Sequence, residues 1–218
     1  MQPDPATNNP ATNNLVGVTA VADGVLRLTL NRPEALNALN RDLTAALERA
    51  LERVAAMEDV RVLLVCGEGR AFCAGNDIKE METITGDEAQ ALATRHAVLM
   101  DRFSRLPQVT LAVIDGHALG GGHGRDLLLS GRVVHASEAL RLGLVNRVVA
   151  APTLEASATK WAAEIASSPR EGLAATKQIV AAIRDGTAGR EPEAYGAALR
   201  TSAAARARIR AFTTRTPR

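Results

Sequence analysis

Aromatic residues are nearly missing from this 218-residue chain. Trp161, Tyr195 and three Phe make up 2% of it, against 46% hydrophobic residues overall. The core must therefore be built from Leu, Val, Ile and Ala, and stacking of bases on aromatic platforms is disfavoured as a binding mode. Charge of one sign is lacking too. The chain has 26 Lys and Arg against 24 Asp and Glu, a net charge of +2, too small to argue for nucleic acid as a partner; the locally basic C-terminal end reads as a solvated helix face. Cysteine is scarce: Cys66 lies in an apolar strand pattern and Cys73 beside a Gly-rich turn, which suits a reduced compartment without disulfides. No positively charged segment leads into an apolar one at the N-terminus, and no apolar run approaches membrane-spanning length. The expectation is a soluble, cytoplasmic protein with no membrane partner. No Cys/His or paired-carboxylate spacing suggests a metal site.

What is present reads as one large domain or a domain with a small appendage. Residues 1–14, rich in Pro, Asn, Ala and Thr, are expected to be a disordered tail. Val16 to Val21 and Val25 to Leu30 are strand patterns joined by Asp23-Gly24, a tight-hairpin pair. Asn40 is placed to cap a helix carrying Leu43, Leu47, Leu51 and Val54 on one face. Val60 to Cys66 is a nearly unbroken apolar run, as in a strand buried on both faces of a parallel sheet. Strand, helix and strand make a βαβ crossover. Asp87 is expected to cap a helix with Leu92, His96, Leu99, Phe103 and Leu106 on its apolar face, and Pro107 to end it. His96 reads as a packed core histidine.

Val109 to Ile114 is the next strand pattern, and it breaks at Asp115-Gly116 before Gly120, Gly121 and Gly122. Beyond the glycines come a short helix, Ser137 to Leu142, stopped by Gly143, a short strand, Leu144 to Val149, and three helical patterns. These span Leu154 to Ser168, with Trp161 and Ile165 inside, Glu171 to Arg184, with Leu173, Val180 and Ile183 apolar, and Glu193 to about Phe212. There is no internal repeat.

Two bare-backbone segments stand out as ligand sites. A glycine run lets several main-chain N–H groups approach one ligand atom, and Gly75-Asn76-Asp77 in GEGRAFCAGNDIKE offers a second such turn. The glycines do not fit G-x-G-x-x-G, nor is there a P-loop Lys-Ser or Lys-Thr. Among side chains near the two loops, His123 could reach a ligand, Asp126 reads as a helix-opening acid, Asp77 and Glu80 as first-turn acids, and Cys73 as a small buried filler with no paired His. His117 and His135 fall in loop or turn settings.

Four blocks, NRPEALNALN, VRVLLVCGEGRAFCAGNDIKEM, AVIDGHALGGGH and SGRVVHASEALRLGLVNRVV, occur in the order seen in the crotonase superfamily, and the chain resembles its enoyl-CoA hydratases and isomerases. The resemblance implies an α/β fold, a crotonase-like ββα spiral followed by C-terminal helices, with the core over 15–150 and the helical region over 151–218. It implies an acyl-CoA substrate, coenzyme A entering only as part of that substrate, and a homo-oligomer, a trimer or hexamer. It also implies an oxyanion hole formed by the main-chain N–H groups of Asn76 and Gly121, with Ala74, Asp77, Ile78 and Lys79 along the substrate channel. The chemical effect expected by lineage is hydration or isomerisation of a 2-enoyl-CoA.

The chain departs from that pattern at one place. Where the hydratases carry a glutamate two residues after the third glycine, this chain has Gly124, and the text passes directly to RDLLLSG. A block that in the family carries a strand, a helix and the second catalytic glutamate is missing near 124–125, so the expected spiral is incomplete. The alternative is then a catalytically inactive form that binds acyl-CoA weakly or serves as an interaction subunit.

Overall fold

A computed structural model describes residues 15–119, 132–187, 206, 207 and 210. The N-terminal tail, the glycine run with His123, Gly124 and Asp126, and most of the helical pattern from Glu193 to Phe212 lie outside the described residues.

Strands β1 (Val16–Ala22) and β2 (Val25–Leu30) form the expected antiparallel hairpin, with Val16 opposite Leu30 and a bulge between Ala20 and Ala22. Helix α1 (Arg41–Ala55) begins where the Asn40 side chain accepts a 2.9 Å hydrogen bond from the Leu43 N–H, which pairs one of the donors that a helix start leaves free. The chain returns as β3 (Val62–Gly67), parallel to β2 from Val25–Val62 to Leu30–Gly67. After helix α3 (Gly86–Arg105), strand β5 (Val109–Val113) adds parallel to β3, giving the order β1-β2-β3-β5.

Alternation along β3 assigns its two faces. Leu63 and Val65, with Leu28 and Leu30 of β2, pack against Leu43, Leu47, Leu51 and Val54 of α1 and Leu99 of α3. Val62 and Leu64, with Val25, meet Ala162 and Ala166 of α5 (Leu154–Ala166) on the other side. Two alanines of α5 make that contact, whereas leucines predominate on the opposite face against α1 and α3. Each fully buried Leu is worth roughly 1.5–3 kcal/mol, so this core does not need the aromatics the sequence lacks. Helices α4 (Ala136–Arg141) and α6 (Arg170–Arg184) complete the described helices of the C-terminal part.

Four expectations are corrected. Helix α3 is capped by Thr85, not Asp87: its hydroxyl accepts from the Glu88 N–H while the Glu88 carboxylate accepts from the Thr85 N–H, and this reciprocal box outcompetes an Asp two residues later. Leu144 to Val149 is not a strand; it follows a helix end closed by the Leu144 N–H on the Ala139 carbonyl, and no described strand pairs with it. Trp161 is half-buried rather than inside, with the Arg147 guanidinium 4.1 Å from its ring centroid. Val180 and Ile183 of α6 are 60% and 63% exposed, and the buried side of that helix is marked by Ala175 instead.

Lys177 ties α6 to the rest. Its ammonium donates to the carbonyls of Phe103 (3.2 Å) and Gln108 (2.8 Å). Gln108, fully buried, donates in turn to the Val54 (2.9 Å) and Met57 (3.2 Å) carbonyls at the end of α1. Burial pushes Lys177 down from 10.5 to about 8. Since the folded value lies below the unfolded one, unfolding takes up a proton between these two pH values, so stability rises with pH across that window and the penalty is fully present below about 8. Urea unfolding near pH 8 and near pH 10 is expected to show this gain in the wild type and its loss in Lys177→Met; a parallel rise in both proteins would remove Lys177 as its source.

Candidate functional site

The site is built on the loop between β2 and α1. After a 3-10 turn at Pro33–Ala35, Leu36 and Asn37 both adopt left-handed backbone, with φ of 52° and 57°. Such conformations cost on the order of 1–3 kcal/mol each away from glycine, and the surroundings of Asn37 explain how they persist. Its side chain is 0% exposed. Oδ1 accepts from the Arg32 N–H at 2.8 Å, and Nδ2 donates to the carbonyls of Glu68 (3.0 Å) and Ala71 (2.8 Å). One amide thus staples the 32–39 loop to the turn leading into β4 (Ala71–Cys73).

The loop then orders the residues that follow β4. The Ala74 N–H donates to Leu36 O at 3.0 Å, the Leu39 N–H to Gly75 O at 2.7 Å, and the Asp77 N–H to Leu39 O at 3.0 Å. Leu39 and Asn76 form a parallel bridge in which Leu39 bonds the residues on either side of Asn76. In such a bridge the N–H of Asn76 itself points away from Leu39, and no described residue accepts from it. Asn76 is solvent-exposed.

Asp77 turns inward. It caps the short helix α2 (Ile78–Met81) by accepting from the Lys79 N–H at 2.9 Å, and it meets Arg32 Nη1 at 2.5 Å. Burial pushes its carboxyl up, but the Arg32 guanidinium and the α2 amides outweigh this and hold it below the usual carboxylate range. Lys79 is exposed, Ile78 is 81% exposed, and Ala74 is half-buried. Glu80 accepts from the Arg41 N–H at 3.0 Å.

The strand after Gly116 reaches the same turn. β6 (His117–Ala118) pairs parallel with β4, and the Leu119 N–H donates to Cys73 O at 2.8 Å. Glycine is required at two points of this approach. A Cβ at Gly116, where φ is +76°, would lie 2.1 Å from Arg70 O, and one at Gly67 would lie 2.4 Å from the carbonyls of Ala71 and Phe72. Ala74, Asn76, Asp77, Ile78 and Lys79 therefore share one turn, with Leu119 tethered to it. Gly121 lies outside the described residues.

Residues 25–138 match a family model for enoyl-CoA hydratase/isomerase, and residues 123–210 match a second model of the same description. The first of these spans more than half of the chain. The chain belongs to the enoyl-CoA hydratase/isomerase family. It is 34% identical over 196 residues to a probable enoyl-CoA hydratase of Rhizobium meliloti, covering 70% of this chain and 76% of that protein. A probable enoyl-CoA hydratase of Mycobacterium leprae is 31% identical over 208 residues, covering 74% and 80%. The crystal structure of an enoyl-CoA hydratase from Mycobacterium smegmatis superposes with a TM-score of 0.84 at 27% identity, covering 94% of this chain and 98% of that one. The α/β architecture is that of the crotonase superfamily.

Other candidates of this crotonase-family chain take plain structural places. Cys73 is half-buried, burial pushes its thiol up, and its sulfur accepts a 3.4 Å contact from the Gly75 N–H, so it stays protonated and inert. His117 is exposed in β6, and His135 precedes α4 without a side-chain cap. Among the described residues no group of three His, Cys, Asp or Glu could hold a metal, and no helix is long and apolar enough to cross a membrane. A cavity of about 250 Å³ opens on the α5 face of the sheet, between Arg27, Cys66, Asp115 and Glu155, and none of Ala74 to Lys79 lines it.

Sequence reasoning missed the part of the site contributed by Thr44 and His96. Thr44 is buried on α1, and His96, also buried, lies between the Thr44 hydroxyl and the Asn76 side chain. The available signal was a hydroxyl and an imidazole standing inside two otherwise apolar helix stripes.

Replacing Asn37 separates its side-chain bonds from its backbone preference. Asn37→Gly keeps the left-handed conformation but leaves the buried Ala71 carbonyl and the part-buried Glu68 carbonyl without this partner, and a loss of about 1–3 kcal/mol is expected in urea unfolding. Asn37→Ala should lose about 1 kcal/mol more, because a Cβ disfavours that backbone. Wild-type midpoints in both variants would contradict the stapling role.

Proposed function

We propose that this chain binds an acyl-CoA thioester and holds its carbonyl oxygen with the main-chain N–H groups of Asn76 and Gly121. The observation that carries this reading is the Asn76 turn: an exposed residue whose N–H is directed away from the bridge that fixes it. Leu119, two residues before Gly121 in sequence, is tethered to Cys73 of the same turn, which supports this reading. Negative charge grows on a thioester oxygen when a proton leaves the adjacent carbon or water adds to the conjugated double bond. Fixed donors aimed at that oxygen are worth roughly 3–4 kcal/mol each in comparable sites. Ala74, Ile78 and Lys79 would line the approach, with Asp77 supporting the turn from inside. Coenzyme A enters as part of the substrate.

The reaction proposed by lineage is hydration or isomerisation of a 2-enoyl-CoA in fatty-acid or related acyl-CoA metabolism. Relatives carry both kinds of name: besides the hydratases, a 1,2-epoxyphenylacetyl-CoA isomerase of Escherichia coli is 35% identical over 125 residues, covering 56% of this chain and 47% of that protein. A cytoplasmic homo-oligomer, trimer or hexamer, is part of the same proposal.

A second reading is favoured by a specific feature. Gly124 stands where the resemblance puts a catalytic glutamate, and glycine cannot move a proton. The match to the Mycobacterium leprae relative extends over 208 residues while taking up 74% of a 218-residue chain, so part of that relative has no counterpart here. General acid–base groups contribute about 10²–10⁴-fold, and a chain without them would bind the thioester and turn it over slowly or not at all.

Hydration of crotonyl-CoA, followed by loss of the enoyl absorbance at high protein concentration, divides the two readings. Turnover above background that Gly121→Pro abolishes would support the enzyme. Saturable binding without turnover would support the inactive form, and neither binding nor turnover in a folded sample would defeat the acyl-CoA proposal altogether.

A further inference from the structure

Asn76 is held by its side chain as well as by its backbone neighbours. Three contacts run in series behind it. The Thr44 hydroxyl donates to Asn40 O at 2.7 Å, Thr44 Oγ1 lies 3.1 Å from His96 Nε2, and His96 Nδ1 lies 3.0 Å from Asn76 Oδ1. For both Thr44 contacts to be hydrogen bonds at once, the single hydroxyl proton goes to the Asn40 carbonyl, which only accepts. His96 Nε2 must then carry the hydrogen of its contact with Thr44. With Asn76 Oδ1 facing it, Nδ1 must donate too, which requires an imidazolium. A half-turn of the amide exchanges two arms of equal size and puts the NH2 group against Nδ1; the ring is then neutral, with its proton on Nε2. The orientation of the Asn76 amide is thus tied to the protonation of His96.

Burial favours the neutral ring, and the charged neighbours pull both ways. Burial first and then the Arg95 guanidinium lower the His96 pKa, against Glu80 and Glu48, which raise it. Those carboxylates are already occupied. Glu48 of α1 is gripped by both arms of Arg95 at 2.9 and 2.6 Å, Glu80 of α2 by Arg41 at 3.2 Å, Glu88 of α3 by Arg41 at 3.1 Å, and Asp77 by Arg32. Among the described residues, the hydrogen bonds of the ring go to Thr44 and Asn76 and to none of these carboxylates.

We propose that His96 is a positioning residue for the oxyanion turn: the series Asn40–Thr44–His96–Asn76 holds the residue whose main-chain N–H faces the ligand, and protonation of His96 turns the Asn76 amide over. The inference rests on the acyl-CoA reading only for what the turn binds. It concerns the orientation of a donor, and His96 itself does not touch the substrate.

Nitrogen-15 NMR of the whole 218-residue chain tests it, together with crotonyl-CoA binding. Neutral His96 is expected as the Nε2–H tautomer, and the main-chain and side-chain amide signals of Asn76 should shift in step with the imidazole as pH falls. His96→Gln presents an acceptor to Asn76 and a donor to Thr44, as the neutral ring does. It should keep the high-pH signals and wild-type affinity while losing the pH response. His96→Leu should displace the Asn76 signals and weaken crotonyl-CoA binding about three- to tenfold, the usual worth of one neutral hydrogen bond. An Nδ1–H tautomer, or Asn76 signals that stay fixed while His96 titrates, would overturn the proposal. So would equal crotonyl-CoA affinity in wild type and folded His96→Leu, with the acyl-CoA reading intact. If His96→Leu does not fold, the wild-type titration and His96→Gln decide. The NMR signature without any crotonyl-CoA binding would leave His96 as the positioner of Asn76 and remove the acyl-CoA reading instead.

Discussion

The buried amide of Asn37 is the interaction on which the site depends. It occupies a left-handed backbone position and bonds three main-chain groups on two segments, the Arg32 N–H and the carbonyls of Glu68 and Ala71. Without it, the Ala71 carbonyl would be buried unpaired, at a cost of about 1–3 kcal/mol, and the part-buried Glu68 carbonyl would lose its partner. That is comparable to the strain of the left-handed residues, so strain and bonding hold each other in place. Everything downstream, from the Leu36–Ala74 contact to the Leu39–Asn76 bridge, inherits its register from this junction.

The sheet places the junction where it can serve a ligand. β2, β3 and β5 run parallel, and the 32–40, 68–77 and 114–119 segments all leave their carboxyl ends. Open parallel sheets bind ligands at that edge because the loops there are unconstrained by crossover packing. Here the loops are also tied to one another. Arg32 bridges the first and second through Asp77 and Ala38, and Leu119 joins the third to the second through Cys73. The exposed Asn76 turn is therefore held from below by these bonds, which is the condition the proposed donor role sets.

Much of this was legible in the sequence, and what was not has a physical reason. The Asp23-Gly24 hairpin, the Asn40 cap and the doubly buried β3 follow from local rules, since turn chemistry, capping and unbroken apolarity each act within a few residues. Gly75-Asn76-Asp77 was legible as a bare-backbone turn, but its contacts with Leu36 and Leu39 were not, because they span more than thirty positions of chain. The Thr85 capping box is spelled Thr-Gly-Asp-Glu in the sequence, where Asp87 competes with it as a cap, and only the reciprocal bonds between Thr85 and Glu88 decide between them. Val180 and Ile183 show the opposite limit. Their spacing is that of a buried stripe, yet the residue of α6 that reaches into the molecule is a lysine, drawn in by carbonyls at the end of α3 and the start of β5.

The polar residues inside apolar stripes are the ones that connect the core to the site. Thr44 and His96 each stand where a leucine would pack, and burying an imidazole costs free energy that a leucine would not. That cost is offset only if every hydrogen-bonding atom of the series finds a partner, and the chain from Asn40 O through Thr44 and His96 to Asn76 supplies one for each. A series of this kind is directional: an acceptor at Asn40 bears on the proton placement of a ring some 50 residues away in sequence and, through the ring, on the amide of the exposed Asn76 turn. Leucines at both positions would make a more stable core and would leave Asn76 anchored by its backbone alone. The retention of two buried polar side chains is thus the mark of a turn whose geometry, not merely whose existence, the fold maintains.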